Sequence, residues 1–140
     1  MIHLATVAGG VVRHQVPLGT AVAAGDVVAY VEPAGGPREA ITAPMAGIVE
    51  QQRLEGEAAP PFSHLVGLTR AVLAPAAGRL TWIATLGPVG PTTLVALLDT
   101  GQAVHPLRAG GAGFVGRPFA RLGALVARGA PLLELRGDEL

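Results

Sequence analysis

Apolar residues run along this chain in short blocks, and glycine or proline closes almost every one. Four segments share one order. The first has Gly10-Val11-Val12, then Gly19 to Asp26, then Val27 to Glu32. The second has Ala43-Pro44-Met45-Ala46-Gly47-Ile48-Val49, then Gly56, then Leu65 to Leu68. The third has Ala74-Pro75-Ala76-Ala77-Gly78-Arg79-Leu80, then Gly87, then Leu94 to Asp99. The fourth has Ala109 to Val115, then Gly123 to Gly129, then Leu132 to Leu135. Gly10 to Gly19, Gly47 to Gly56 and Gly78 to Gly87 are each nine residues apart, and Gly113 to Gly123 is ten. Recurrence in four segments marks an internal repeat.

Each unit of the repeat predicts strands. The glycine after Ala-Pro allows a positive φ or a sharp bend into the next strand. Alternation, as in Ile48-Val49-Glu50-Gln51, gives a half-buried strand. Gly-x-x-Val-x-x-Gly-Asp reads as turn, buried valine, turn. The closing run, as in Val27 to Val31, is a short buried strand. A helix fails because glycine or proline interrupts nearly every window, at about 1 and 3 kcal/mol respectively. The best helical stretch, Phe119 to Ala127, carries Gly123 in its middle. The expected class is therefore all-β, built of short antiparallel strands.

Composition narrows the chemistry. The 140 residues hold 20 glycines and 12 prolines, half the residues are apolar, and the formal net charge is zero. Arginine is the only basic residue besides histidine, and it is scattered, so no basic stripe points to nucleic acid or an anionic membrane. Few charges for a soluble surface imply an apolar face that meets another protein or a second copy. Without cysteine there is no disulfide, thiolate or Cys-bound metal. Without lysine there is no Schiff base and no side-chain amine to acylate, and arginine is no substitute. No apolar run reaches membrane-spanning length, and Met1-Ile2-His3 lacks the start of a signal peptide. The closing Gly137-Asp138-Glu139-Leu140 is similar to an ER-retrieval tail, which without a signal peptide is read as coincidence. A cytoplasmic location is the expectation.

Gly19 to Glu32, followed by Glu39-Ala40-Ile41-Thr42-Ala43-Pro44-Met45-Ala46-Gly47-Ile48-Val49, resembles the biotinyl/lipoyl carrier domain. There, two half-motifs flank a hairpin. One ends in a Gly-Asp turn and an apolar strand closing on Glu, and the other opens with Ile-x-Ala-Pro-x-x-Gly-x-Val. Residues 1–70 match one such domain, and residues 71–140 resemble a second, more diverged copy whose halves meet between Asp99 and His105. The resemblance implies two barrel-sandwich hybrids, each of two small sheets about a pseudo-twofold axis. It also implies a modified lysine at the hairpin tip. This chain has Glu32-Pro33-Ala34-Gly35-Gly36-Pro37-Arg38-Glu39 there, with Gly35 near the lysine's place, and the second hairpin, Thr100-Gly101-Gln102-Ala103-Val104, is equally without one. Neither biotin nor lipoate can be attached, and no cofactor is expected.

Other chemistry finds little footing. His3, His14, His64 and His105 have no metal-motif spacing, so no metal site is expected. Ser63, in Pro61-Phe62-Ser63-His64, lacks a nucleophile elbow and reads as a turn serine. Glu50, Glu55 and Glu57 read as a solvated acidic face. Tyr30, Phe62, Trp82, Phe114 and Phe119 are expected as core plugs, with Trp82 an interface anchor if exposed. The first hairpin, with Pro33, Gly35, Gly36, Pro37 and above all Arg38, is the candidate partner-binding loop.

These readings converge on a non-enzymatic binding or scaffold protein. Its expected partner is a carboxylase-like or acyltransferase-like complex, or a second copy of itself. Two alternatives stand beside it. One is a fragment of a membrane-fusion or efflux adaptor, which also contains split lipoyl-like domains. The other is a small-molecule-binding protein with a pocket between the two halves.

Overall fold

The computed structural model describes residues 1–137. The retrieval-like tail, through Leu140, falls mostly outside them. Every regular element among the described residues is a strand, and several antiparallel sheets make the fold all-β. The stretch from Phe119 to Ala127 is bend and turn followed by the short strand Leu125–Val126, with Gly123 at φ 82°. The chain divides into two compact units, Met1–Thr69 and a second beginning at Arg70.

The first unit contains β1 (Ile2–Ala5), β2 (Gly10–His14), β3 (Ala21–Val22), β4 (Val27–Glu32), β5 (Glu39–Thr42), β6 (Gly47–Gln52), β7 (Ala58–Ala59) and the first part of β8 (His64–Leu73). One set of neighbours runs β1–β8–β6–β3, and the other runs β5–β4–β2–β7. Advancing every label by four, with β8 followed again by β1, turns one order into the other. The linking hydrogen bonds obey the same exchange. Gly19 N donates to Val49 O at 2.7 Å and Val49 N to Thr20 O at 3.0 Å, while Gly56 N donates to Val12 O at 2.8 Å and Val12 N to Glu57 O at 3.0 Å.

The second unit contains the rest of β8, β9 (Gly78–Ile83), β10 (Pro88–Val89), β11 (Leu94–Asp99), β12 (Val104–Arg108), β13 (Gly113–Pro118), β14 (Leu125–Val126) and β15 (Pro131–Arg136). Its orders are β8–β15–β13–β10 and β12–β11–β9–β14. These are the orders of the first unit with each label advanced by seven.

Each unit has its own small core. Val12, Val28, Val31, Val49 and Leu68 are fully buried in the first, and Leu80, Val95, Leu98, Leu132 and Leu133 in the second. Burial of each such side chain contributes about 1.5–3 kcal/mol. The aromatic residues are not core plugs: neither buried cluster contains one, and Phe62, Phe114 and Trp82 are 74%, 46% and 40% exposed. Sheets this narrow enclose a space that valine and leucine fill, and a large ring there would overpack it.

The glycine that opens each segment acts by closeness more than by φ. A Cβ at Gly47 would stand 2.4 Å from Thr69 O, at Gly10 2.4 Å from Glu32 O, at Gly78 2.7 Å from Asp99 O, and at Gly113 2.4 Å from Arg136 O. Gly47 and Gly78 do not have positive φ, so what these positions exclude is any side chain at all.

Candidate functional site

The hairpin between β4 and β5 begins where β4 leaves the core. Val31 is fully buried, Glu32 is exposed, and Ala34 through Arg38 are all exposed. Gly35 sits at φ 81° in the turn, a conformation that costs glycine little and other residues much. Pro33 is half-buried beside Gly10, whose missing side chain lets the β4 end approach. Arg38 folds back so that its guanidinium lies 3.9 Å from the centre of the Tyr30 ring. Tyr30 pairs with Ala40 across the ladder, so the ring lies next to the hairpin's base and pins the returning arm.

Glu39 fixes the base of the hairpin, a role the sequence did not announce. Its carboxylate accepts the Thr6 hydroxyl at 2.6 Å and the Val7 N–H at 3.1 Å, with the Ala8 N–H at 3.4 Å. The Thr6 oxygen in turn accepts from Gly9 N at 3.0 Å. The Thr6 hydroxyl, opposed by partial burial and aided by the two backbone N–H groups, holds the Glu39 carboxyl below the usual carboxylate range. Thus the 6–9 turn and the hairpin form one hydrogen-bonded piece.

Beside that turn stands Phe62. Its N–H donates to Thr6 O at 2.7 Å, and its φ is +62°, the only positive φ on a non-glycine residue among those described. Gly25 donates to Ala43 O at 2.8 Å and Gly129 to Ala74 O at 2.7 Å, both with positive φ. Phe62 therefore occupies a left-handed position that glycine fills in the first and fourth segments.

The second hairpin is shorter and closed on itself. Thr100 N donates to Ala103 O at 3.0 Å and Gly101 N to the Asp99 carboxylate at 2.8 Å, with Gly101 at φ 88°.

The remaining candidates are dispersed. Ser63 donates its hydroxyl to Pro60 O at 2.6 Å inside its own turn. Glu55 accepts the His14 N–H at 2.7 Å and Arg13 at 3.4 Å. That N–H foremost, then Arg13, lowers its pKa. Glu57 lies 3.4 Å from Arg53. The His14 ring bonds Arg53 O, and His105 is exposed on β12. His3 and His64 are the exception, with rings stacked 4.7 Å apart and 7° from parallel. No group of three or more His, Asp or Glu able to hold a metal occurs among the described residues, and no helix there is long and apolar enough to cross a membrane. No family model, curated protein or solved structure matches this chain, so a functional reading rests on its own topology and side chains.

Proposed function

We propose that the chain is a non-enzymatic binding or scaffold protein made of two biotinyl/lipoyl-like units. In this reading each unit is a barrel-sandwich hybrid, and neither carries biotin or lipoate. A protein partner of the carboxylase-like or acyltransferase-like kind docks on the first hairpin through Pro33, Gly35, Gly36, Pro37 and Arg38, in the cytoplasm.

The observation that carries the reading is the four-strand exchange within each unit: β1–β8–β6–β3 against β5–β4–β2–β7, repeated seven labels on. Two half-motifs that swap strands about a pseudo-twofold axis would produce that order. The hairpin then falls at the junction of the halves, where a carrier holds its lysine. The chain has no lysine anywhere. What stands there instead is an exposed loop braced by Glu39 and by the Arg38–Tyr30 stack. A braced loop loses less entropy on binding than a free one.

Affinity purification of the tagged chain from its native host, with mass spectrometry of what it retains, tests the reading. The Arg38→Ala variant is run in parallel. One defined complex, retained by the wild type and depleted about tenfold in the variant, is the expected result. A chain recovered alone and monomeric, or a partner indifferent to Arg38, overturns it.

A further inference from the structure

The second unit's sheet β12–β11–β9–β14 turns one face to its core and the other outward. Leu80 pairs with Leu98 and Ile83 with Ala96, and all four are buried. Side chains alternate along a strand, so the pairs that flank these point outward in two rows. One row crosses Trp82, Leu97 and Pro106. The other crosses Leu125, Arg79, Asp99 and Val104. Leu125 is 75% exposed and Val104 54%.

The matching face of the first unit has a different surface. The seven-label correspondence sets the buried pair Val12–Val31 on Leu80–Leu98, and the next outward pair, Arg13–Tyr30, on Trp82–Leu97. Arg13 stands 3.6 Å from Glu32 and 3.4 Å from Glu55, and Arg38 lies over Tyr30. Charged side chains of the same unit therefore cover that sheet. In the second unit Trp82 takes the place of Arg13, Leu97 that of Tyr30 and Leu125 that of Ala58. The 100–103 hairpin carries no arginine to fold back over the row. A tryptophan, two leucines, a valine and a proline on one outward sheet face make an apolar patch of the kind that meets another protein.

The second row indicates which protein. It reads apolar, Arg, Asp, apolar across the four strands, so it complements itself when reversed. A twofold axis in the plane of contact, running along the strands between β9 and β11, lays the row on its own copy. Arg79 of one protomer then meets Asp99 of its partner, and Leu125 meets Val104. In the other row Trp82 meets Leu97. A twofold interface requires this kind of self-complementarity. Both charges are held in place, since Arg79 Nη1 donates to Gly123 O at 2.6 Å and Asp99 accepts from Gly101 N at 2.8 Å. The zero net charge of the chain adds no repulsion between copies.

We infer that the chain dimerises through this face, two copies of the second unit packing sheet on sheet about that axis. The inference does not depend on the scaffold reading, since it concerns the other unit and a second copy of the chain. Four short strands make a small interface, for which a dissociation constant of about 1–100 μM is expected.

Sedimentation equilibrium of the full chain across that concentration range tests it, with the emission of Trp82, the chain's one tryptophan, followed alongside. A monomer–dimer equilibrium is expected, with emission moving to the blue as dimer forms. Trp82→Arg, which places the first unit's residue in the second unit's sheet, should weaken the dimer about tenfold or more. Leu125→Asp and Val104→Arg alter side chains that the protomer leaves exposed, so they test the face should Trp82→Arg fail to fold, and each should weaken the dimer severalfold. Mixed in equal amounts, these two variants gain one ion pair and keep one wild-type contact per dimer, and should associate more tightly than either alone. A monomer at every concentration, dimerisation that leaves Trp82 emission unchanged, or a dimer indifferent to Leu125→Asp and Val104→Arg overturns the interface. A mixture no tighter than the separate variants overturns the twofold axis.

Discussion

Phe62 is where replacing a side chain by nothing should strengthen the protein. Its φ of +62° places a bulky L-residue in the left-handed region, at a cost of about 1–2 kcal/mol. Its ring recovers little of that, being 74% exposed. Phe62→Gly removes the strain. It also loosens the unfolded chain, which costs about 0.4–1 kcal/mol. The balance is a gain of about 0.5–1 kcal/mol. For a unit of this size that raises its midpoint by about 2–8 °C. The Phe62 N–H to Thr6 O bond is backbone and survives the change.

Differential scanning calorimetry of the wild type, Phe62→Gly and Phe62→Ala separates strain from side chain. Alanine keeps the left-handed penalty and removes the ring, so it should leave the midpoint unchanged or lower. Glycine alone should raise it. The mirror experiment is Gly25→Ala, which imposes the same penalty at the matching turn and should lower the midpoint by a similar amount. A Phe62→Gly variant no more stable than Phe62→Ala refutes the strain argument, and the ring would then be holding the turn through packing.

Three further outcomes follow from the same geometry. Burial opposes ionisation of Glu134, yet Arg117 and Arg136 outweigh it and lower its pKa from 4.5 to about 2. With both arginines half-exposed, the roughly 3 kcal/mol implied by that shift is discounted to about 2 kcal/mol. Because the folded pKa is depressed, this stability is fully present above about pH 4.5 and is lost as pH falls toward about 2. Urea unfolding across that range, read by Trp82 emission, should show the loss, and Glu134→Gln should flatten the curve. Glu39→Gln removes one of the two oxygens that hold the 6–8 turn, so amide exchange at Val7 and Ala8 should quicken while the core amides keep their protection. Gly47→Ala drives a Cβ to 2.4 Å from Thr69 O, and circular dichroism melts should show a loss of about 2 kcal/mol or more; an unchanged melt would mean that the strands can part without cost.

The strand content was legible because it rests on local chemistry. Glycines at nine- and ten-residue spacing and apolar runs too short for helices leave few alternatives, and Gly123 alone suffices against a helix from Phe119 to Ala127. The reason for the opening glycines was not legible. At Gly47 and Gly78 it is the carbonyl of a strand some twenty residues away that forbids a side chain, and no local pattern reports such an approach. The aromatic rings misled for a related reason, since core width is set by sheet geometry and not by hydrophobicity. Glu39 reaches its partners across more than thirty residues, which spacing cannot foresee. Phe62 could have been found, because aligning it with Gly25 and Gly129 exposes an aromatic residue at a left-handed turn position.

Matching positions of the two units differ at the places where contacts with other molecules should concentrate. At two places the second unit answers its own chemical needs and the first does not. Gly129 relaxes the turn that Phe62 strains. The Thr100–Ala103 turn closes on its own carbonyl, whereas the longer Pro33–Arg38 loop stands open. Strain and exposed loops that a protein retains have their best physical rationale at sites of function. Trp82, 40% exposed, is the second unit's counterexample. Its neighbours across the ladder are Leu97 and, one strand further, Pro106, which are apolar. In the first unit, by contrast, the row through Tyr30 is covered by Arg38. The second unit thus offers an apolar surface suited to packing, and the first offers an open loop and a strained ring suited to recognition.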